Sequence, residues 1–203
     1  MKKIIILGVV GLVLGLASLC FASTSIRIAA TIGETHQMNV ALSRMANAGA
    51  TPTVVNDLTG TGMDFGTLIQ DPTDHNFRTP VYFYIDAPVV SNRASWTITH
   101  SATDFAKDGT NNLNANTNVT FVKATSTGET ALSSGGLISY ATAKTRAAIT
   151  NTELGWSAGV TGGWLRIYYG IAQGSGDATG VSVITTDKPV GAYTGTVTLT
   201  LSP

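Results

Sequence analysis

A chain of 203 residues carries 12 Lys and Arg against 12 Asp and Glu, for a formal net charge of 0 and a charged fraction of 12%. That length suits one domain, able to bury about two-thirds of its unfolded surface without a disulfide or metal staple, and it argues against a multidomain enzyme. A nucleic-acid groove is excluded too, because neutralising a phosphate backbone takes clustered Lys and Arg, and no basic run occurs.

The chain has 22 Gly, long Thr/Ser/Asn-rich stretches and few of the Glu, Lys and Gln residues that fill exposed helix faces. Its solvent side is therefore hydroxyl and amide. Thr and Val pack well on pleated surfaces while Gly, Asn and Asp supply turns, so short strands are expected.

Met1, Lys2 and Lys3 precede an apolar run from Ile4 to Leu19, followed by Cys20-Phe21-Ala22 and Ser23. A charged start, an apolar middle and a small exit residue predict a secretory signal peptide over 1–22, cut after Ala22. A retained membrane anchor is the competing reading, but the run is short for a span and carries Gly8, Gly11 and Gly15. Lipid attachment at Cys20 is disfavoured by Leu19, where a small residue is wanted. Processing would leave 181 residues with no cysteine and a net charge of −2, because residues 1–22 hold two lysines, no acid and the single cysteine. An exported domain without disulfides must be held by its core.

In the remaining chain, Ser25 to Ile32 alternates, with Ile26, Ile28, Ala30 and Ile32 on one side and Arg27 on the other, the period of a half-buried strand. Further strands are expected at Met38 to Leu42 and at Met63 to Ile69. Pro80, lacking an amide proton, starts an element or marks an edge. Val81 to Ile85 sets Val81, Phe83 and Ile85 against Tyr82 and Tyr84, so both faces are covered. Ser95 to His100 and Asn118 to Lys123 alternate in the same way, around Trp96 and Ile98 and around Val119 and Phe121. Between them, residues 106–117 hold Asp108-Gly109 and several Asn, a loop composition.

Residues 124–163 carry turn signals at Gly135-Gly136 and Gly162-Gly163, with room for one short helix between Tyr140 and Glu153. Trp164 to Ile171 is a strong strand, Trp164, Arg166, Tyr168 and Gly170 facing away from Leu165, Ile167, Tyr169 and Ile171; a Gly/Ser/Asp loop leads to a strand at Val181 to Ile184. The last segment is the clearest: Tyr193, Gly195, Val197, Leu199 and Leu201 share one face and four threonines share the other. About eight such segments predict an all-β fold, an antiparallel β-sandwich, with an open barrel as the alternative.

Residues 63–68, Met-Asp-Phe-Gly-Thr-Leu, and 191–201, Gly-Ala-Tyr-Thr-Gly-Thr-Val-Thr-Leu-Thr-Leu, resemble the early and final motifs of secreted β-sandwich proteins related to spore coat protein U and archaic chaperone–usher pilins. The resemblance covers under a fifth of the chain. It implies an immunoglobulin-like subunit of an extracellular fibre, in which an N-terminal extension of one subunit fills a groove in the next. The expected partners are copies of the same chain, an assembly chaperone and an outer-membrane secretion partner. The candidate donor segment is 23–32, with Ile26, Ile28, Ala30 and Ile32 as plugs; Tyr193, Val197, Leu199 and Leu201 form the apolar face of the terminal strand. The chain departs from the family in having no mature cysteine where a disulfide is common. Two readings of 23–32 stay open, a donated strand and the domain's own first strand, and the terminal strand is either central or the receiving edge.

Residues with chemistry are sparse. His36, His75 and His100 stand at no metal-ligand spacing. The expected metal count is none, against two candidates, an Asp71/Asp74/His75 cluster around Pro72 and a calcium loop from Asp104, Asp108 and Asn112. No Gly-x-Ser-x-Gly elbow or triad pattern is present, so no catalytic residue and no cofactor is expected. Trp156 is the candidate sugar platform for a competing reading, a monomeric extracellular carbohydrate-binding module. Asn118-Val119-Thr120 matches a glycosylation acceptor.

Overall fold

The computed structural model describes residues 30, 33–58, 62–126, 136–156 and 162–203. The chain divides into two units, Met1–Gly33 and Glu34–Pro203, and the β architecture described here belongs to the second. The segment 1–22, expected to be a signal peptide, and the alternating residues Ile26, Ile28 and Ile32 lie outside the described residues.

The fold is an antiparallel β-sandwich. Its larger sheet is built around two strands that the sequence marks on both faces, β6 (Tyr82–Ala87) and β12 (Trp164–Ile171). Their register places Phe83, Ile85 and Ala87 beside Tyr169, Ile167 and Leu165 on the inner face, and Tyr84 and Asp86 beside Tyr168 and Arg166 on the outer face. β9 (Thr117–Ala124) joins β12 on the far side, and β10 (Ile138–Ser139) closes that edge. β2 (Ala41–Met45) and β3 (Thr53–Val55) extend the sheet beyond β6, giving the order β10-β9-β12-β6-β2-β3. A smaller sheet, in the order β11-β8-β13, consists of β11 (Ile149–Thr150), β8 (Thr97–Ala102) and β13 (Val197–Ser202).

Burial explains the two faces. Leu42, Phe83, Ile85, Val119, Leu165, Ile167 and Tyr169 from the large sheet meet Trp96, Ile98 and Ile149 from the smaller-sheet side in one core. Each Val, Leu or Ile so buried contributes about 1.5–3 kcal/mol relative to exposure, which is what holds a fold of this size without crosslinks. The outer face of the large sheet keeps its own cluster of Met45, Tyr82, Tyr84 and Tyr168. Leu113, Ile171 and Ile184 form a third cluster, against which Leu68, Phe77 and Tyr193 pack.

Several expected strands take another form. The segment 38–42 is interrupted: β1 (His36–Met38) pairs with β7 (Val89–Ser91), and pairing moves to β2 and β6 past Asn39, whose amide donates to Pro88 O. Met63 to Leu68 is not a strand. Asp64 Oδ1 accepts the Gly66 amide at 2.8 Å and Gly66 has φ +72°, an Asx turn that a continuous ladder cannot contain. Phe65 still points inward, edge-on to Phe83 at 5.1 Å. Val181 to Ile184 is reduced to one bridge, Ile184 to Phe77, where Phe77 belongs to the hairpin of β4 (Ile69–Gln70) and β5 (Phe77–Arg78). The short helix appears as α1 (Tyr140–Ala143), capped by Ser139.

Candidate functional site

The strongest candidate is the free edge of the smaller sheet. β13 pairs along its length with β8, from Val197 opposite Ala102 to Ser202 opposite Thr97, and has no other strand partner among the described residues. Its alternation works as the sequence implies: Val197, Leu199 and Leu201 pack against the main core, and Thr198 and Thr200 are exposed. The apolar row is half-buried rather than buried, on a strand whose other flank has no strand partner among the described residues. Met38, Met63 and Phe65 are likewise packed on the core yet partly open.

Edge strands usually carry a lysine, a proline, a bulge or very few residues, since a bare edge invites another strand. β13 has six residues, and no charged side chain occurs between Val190 and Pro203. The bulge it has lies on the side already paired. Thr194 exchanges backbone hydrogen bonds with Ala106 at 2.8 and 2.9 Å, whereas Val197 stands opposite Ala102, so three steps on one strand answer four on the other. Gly195 sits at this point, where a Cβ would come within 2.9 Å of Asp104 O. The bulge also separates Tyr193 from the rest of the predicted apolar face. Tyr193 packs on the Leu113/Ile171/Ile184 cluster, and its hydroxyl donates to Pro189 O at 2.9 Å.

The other sequence candidates are dispersed. Of the proposed plugs only Ala30 is described, and it is exposed. Trp156 is half-buried and packs edge-on against the buried Trp96 at 5.8 Å, so part of its ring is committed to the core. Asp71 and Asp74 both pair with Arg78, and their remaining oxygens accept the amides of Thr73 and Asn76 in the β4–β5 turn. His75, in that turn, has φ +61°. Asp104 pairs with Lys144 and accepts from Asn114 Nδ2 at 2.6 Å, and these hydrogen bonds hold its carboxyl below the usual carboxylate range. Asp108 accepts from Thr110 and Asn111 of its own loop, with the same effect on its pKa. Among the described residues no group of three or more His, Cys, Asp or Glu is placed to hold a metal. Asn118 is buried in β9, its amide donating to Asp177 and accepting from the Ala178 amide, so the acceptor pattern is inaccessible to a glycan.

Two buried polar arrangements escaped the sequence reading. Arg166, fully buried, holds Asp86 through two contacts, Nε to Oδ1 at 2.6 Å and Nη2 to Oδ2 at 2.8 Å, while Trp164 Nε1 donates to the same carboxylate at 2.8 Å. The guanidinium also lies over the Tyr84 ring at 4.4 Å. Burial opposes its charge, but Asp86 and Tyr168 more than offset this and raise its pKa. On the inner side, His100 is 1% exposed and bridges the Ala143 carbonyl and the Tyr169 hydroxyl at 2.9 and 2.8 Å. Burial lowers its pKa and raises that of Tyr169 well above the ordinary value. Tyr140, donating to Thr103 O at 3.0 Å, is raised by burial to about 12.

Comparison with protein-family models, with curated proteins and with solved structures finds no match for this chain. Among the described residues no helix is long and apolar enough to cross a membrane.

Proposed function

We propose that this protein is an exported structural subunit that polymerises into a pilus-like or filamentous surface assembly by strand complementation, in the manner of the spore coat protein U and archaic pilin family that its terminal motif resembles. The observation that carries this reading is the edge of β13: six residues, uncharged, unpaired on one flank among the described residues, with a half-buried apolar row beneath. An incoming strand gains backbone hydrogen bonds from such an edge, and its alternate side chains complete the burial of Val197, Leu199 and Leu201. The donor in this reading is 23–32 of a second copy. Ile26, Ile28, Ala30 and Ile32 have the matching period, and four such plugs supply several kcal/mol at roughly 25 cal/mol per Å² before ordering costs. No catalytic step or cofactor is part of the proposal.

The test is negative-stain electron microscopy of the native exported protein, with size-exclusion chromatography and N-terminal sequencing of the same sample. Regular filaments are expected, and deletion of 23–32 should leave subunits that a synthetic 23–32 peptide stabilises. At one hundred times its Kd such a peptide adds about 2.7 kcal/mol to unfolding stability. A folded, strictly monomeric product at every concentration, indifferent to the peptide, would overturn the proposal and move the competing sugar-binding reading of Trp156 to the front.

A further inference from the structure

β13 is held by β8 alone among the described strands, and the residue of β8 opposite Leu199 is His100, turned into the core. A carbonyl oxygen only accepts, so the 2.9 Å contact with Ala143 O requires a proton on Nδ1. Nε2 of the neutral ring is then the acceptor for the Tyr169 hydroxyl at 2.8 Å. One tautomer of one ring thus ties β8 to α1 and, through β12, to the opposite sheet.

A second proton has no place in this arrangement. It would sit on Nε2, where the Tyr169 oxygen accepts it only by turning its own proton away, and no other hydrogen-bond partner for that proton occurs among the described residues. The charged and titratable groups around the ring offer no counter-ion. From β12 comes Tyr169, and from α1 comes Tyr140, both neutral phenols. The turn after α1 brings two cations: Lys144, occupied by Asp104, and Arg146, whose guanidinium lies 4.5 Å from the Phe121 centroid on β9. That same Phe121 ring meets His100 edge-on at 5.1 Å, and Arg146 disfavours a positive imidazole. On β13 the residue opposite His100 in register is the apolar Leu199.

We infer that His100 is an acid-sensitive latch on the β8–β13 edge, closed at neutral pH and released on acidification, so that assembly at this edge is reversed by acid. Its consequence for assembly rests on the proposed strand-accepting role of β13; the latch itself does not. The direction follows from linkage. His100 has a lowered pKa in the fold, so its contribution is complete above the unfolded value of about 6.5 and is lost as pH falls from there to its own folded pKa.

The test uses the full chain from about pH 8 to about pH 5, the range in which histidine ordinarily titrates, with imidazole NMR and hydrogen exchange of β8 and β13 amides. His100 is expected as the Nδ1–H tautomer, protonating below the ordinary histidine value of about 6.5. Protection factors in β8 and β13 should fall about tenfold per pH unit within the window. His100→Gln, whose amide both donates and accepts but does not titrate, should lose that dependence. Should this variant fail to fold, Tyr169→Phe, which removes the phenol from Nε2, should shift the imidazole titration of His100 away from that of the parent, and an unchanged titration would count against the latch. Titration of His100 at or above the ordinary histidine value of about 6.5, or equal loss of protection in parent and His100→Gln, would overturn the latch. Filaments formed at neutral pH are then acidified. Acid dissociation of parent but not His100→Gln filaments supports its role in assembly, whereas a working latch with no filaments at any pH defeats only the fibre reading.

Discussion

Asp86 is the residue whose removal takes the carboxylate away from a buried guanidinium. Arg166 has no exposure, and two of the carboxylate's contacts are to its guanidinium. Asp86→Ala should therefore cost about 3–5 kcal/mol, the range for breaking a buried pair from one side. Replacing both partners by apolar residues, Asp86→Leu with Arg166→Met, should recover most of that loss, and equilibrium urea unfolding of the two variants distinguishes these outcomes. Alternation places Arg166 opposite in direction to Leu165 and Ile167, which holds in the fold. Nothing local names its partner, because Asp86 is 80 positions away and meets it only through the β6–β12 register. His100 was equally silent: as a lone histidine it has no ligand spacing, and its partners Ala143 and Tyr169 lie 43 and 69 positions away.

At the level of elements, length decides what the sequence reveals. β6, β9, β12 and β13 have six to eight residues and repeat their period often enough to be read. β4, β5, β10 and β11 have two residues each, too few to display a period, and exist because a longer neighbour or a turn positions them. Met63 to Leu68 shows the opposite error, an alternating pattern folded as an Asx turn because the Asp64 carboxylate captures the Gly66 amide. The bulge between β8 and β13 supplies the prediction at this scale. With Asp104 O 2.9 Å from a Cβ at position 195, Gly195→Ala must displace backbone, and a loss of about 1–3 kcal/mol is expected from thermal or urea unfolding. Met38 and Val197 lie outside this contact, so their own conservative substitutions serve as comparisons.

For the whole molecule, the question is whether the β13 edge accepts a strand. Lysines placed at Thr198 and Thr200 lie on the exposed face, away from the core row, and should leave subunit stability within about 0.5 kcal/mol. Charge on an edge strand opposes edge-to-edge pairing, so the same double variant should form far fewer filaments by electron microscopy at equal protein concentration. Unchanged filament yield would remove β13 as the receiving edge. The same comparison separates the edge from the outer face of the large sheet, whose tyrosine cluster is buried.

The sequence by itself determined the class of the fold, because period-two alternation over long segments states which side chains share a face and a charge fraction of 12% leaves few exposed helix faces to fill. It also determined that the last strand is apolar on one side and hydroxyl on the other. Only the tertiary structure decided that this strand is an edge, since strand order depends on which segments meet across the core. Tertiary packing likewise placed Arg166 against Asp86 and His100 between Ala143 and Tyr169, long-range pairings that no local pattern encodes.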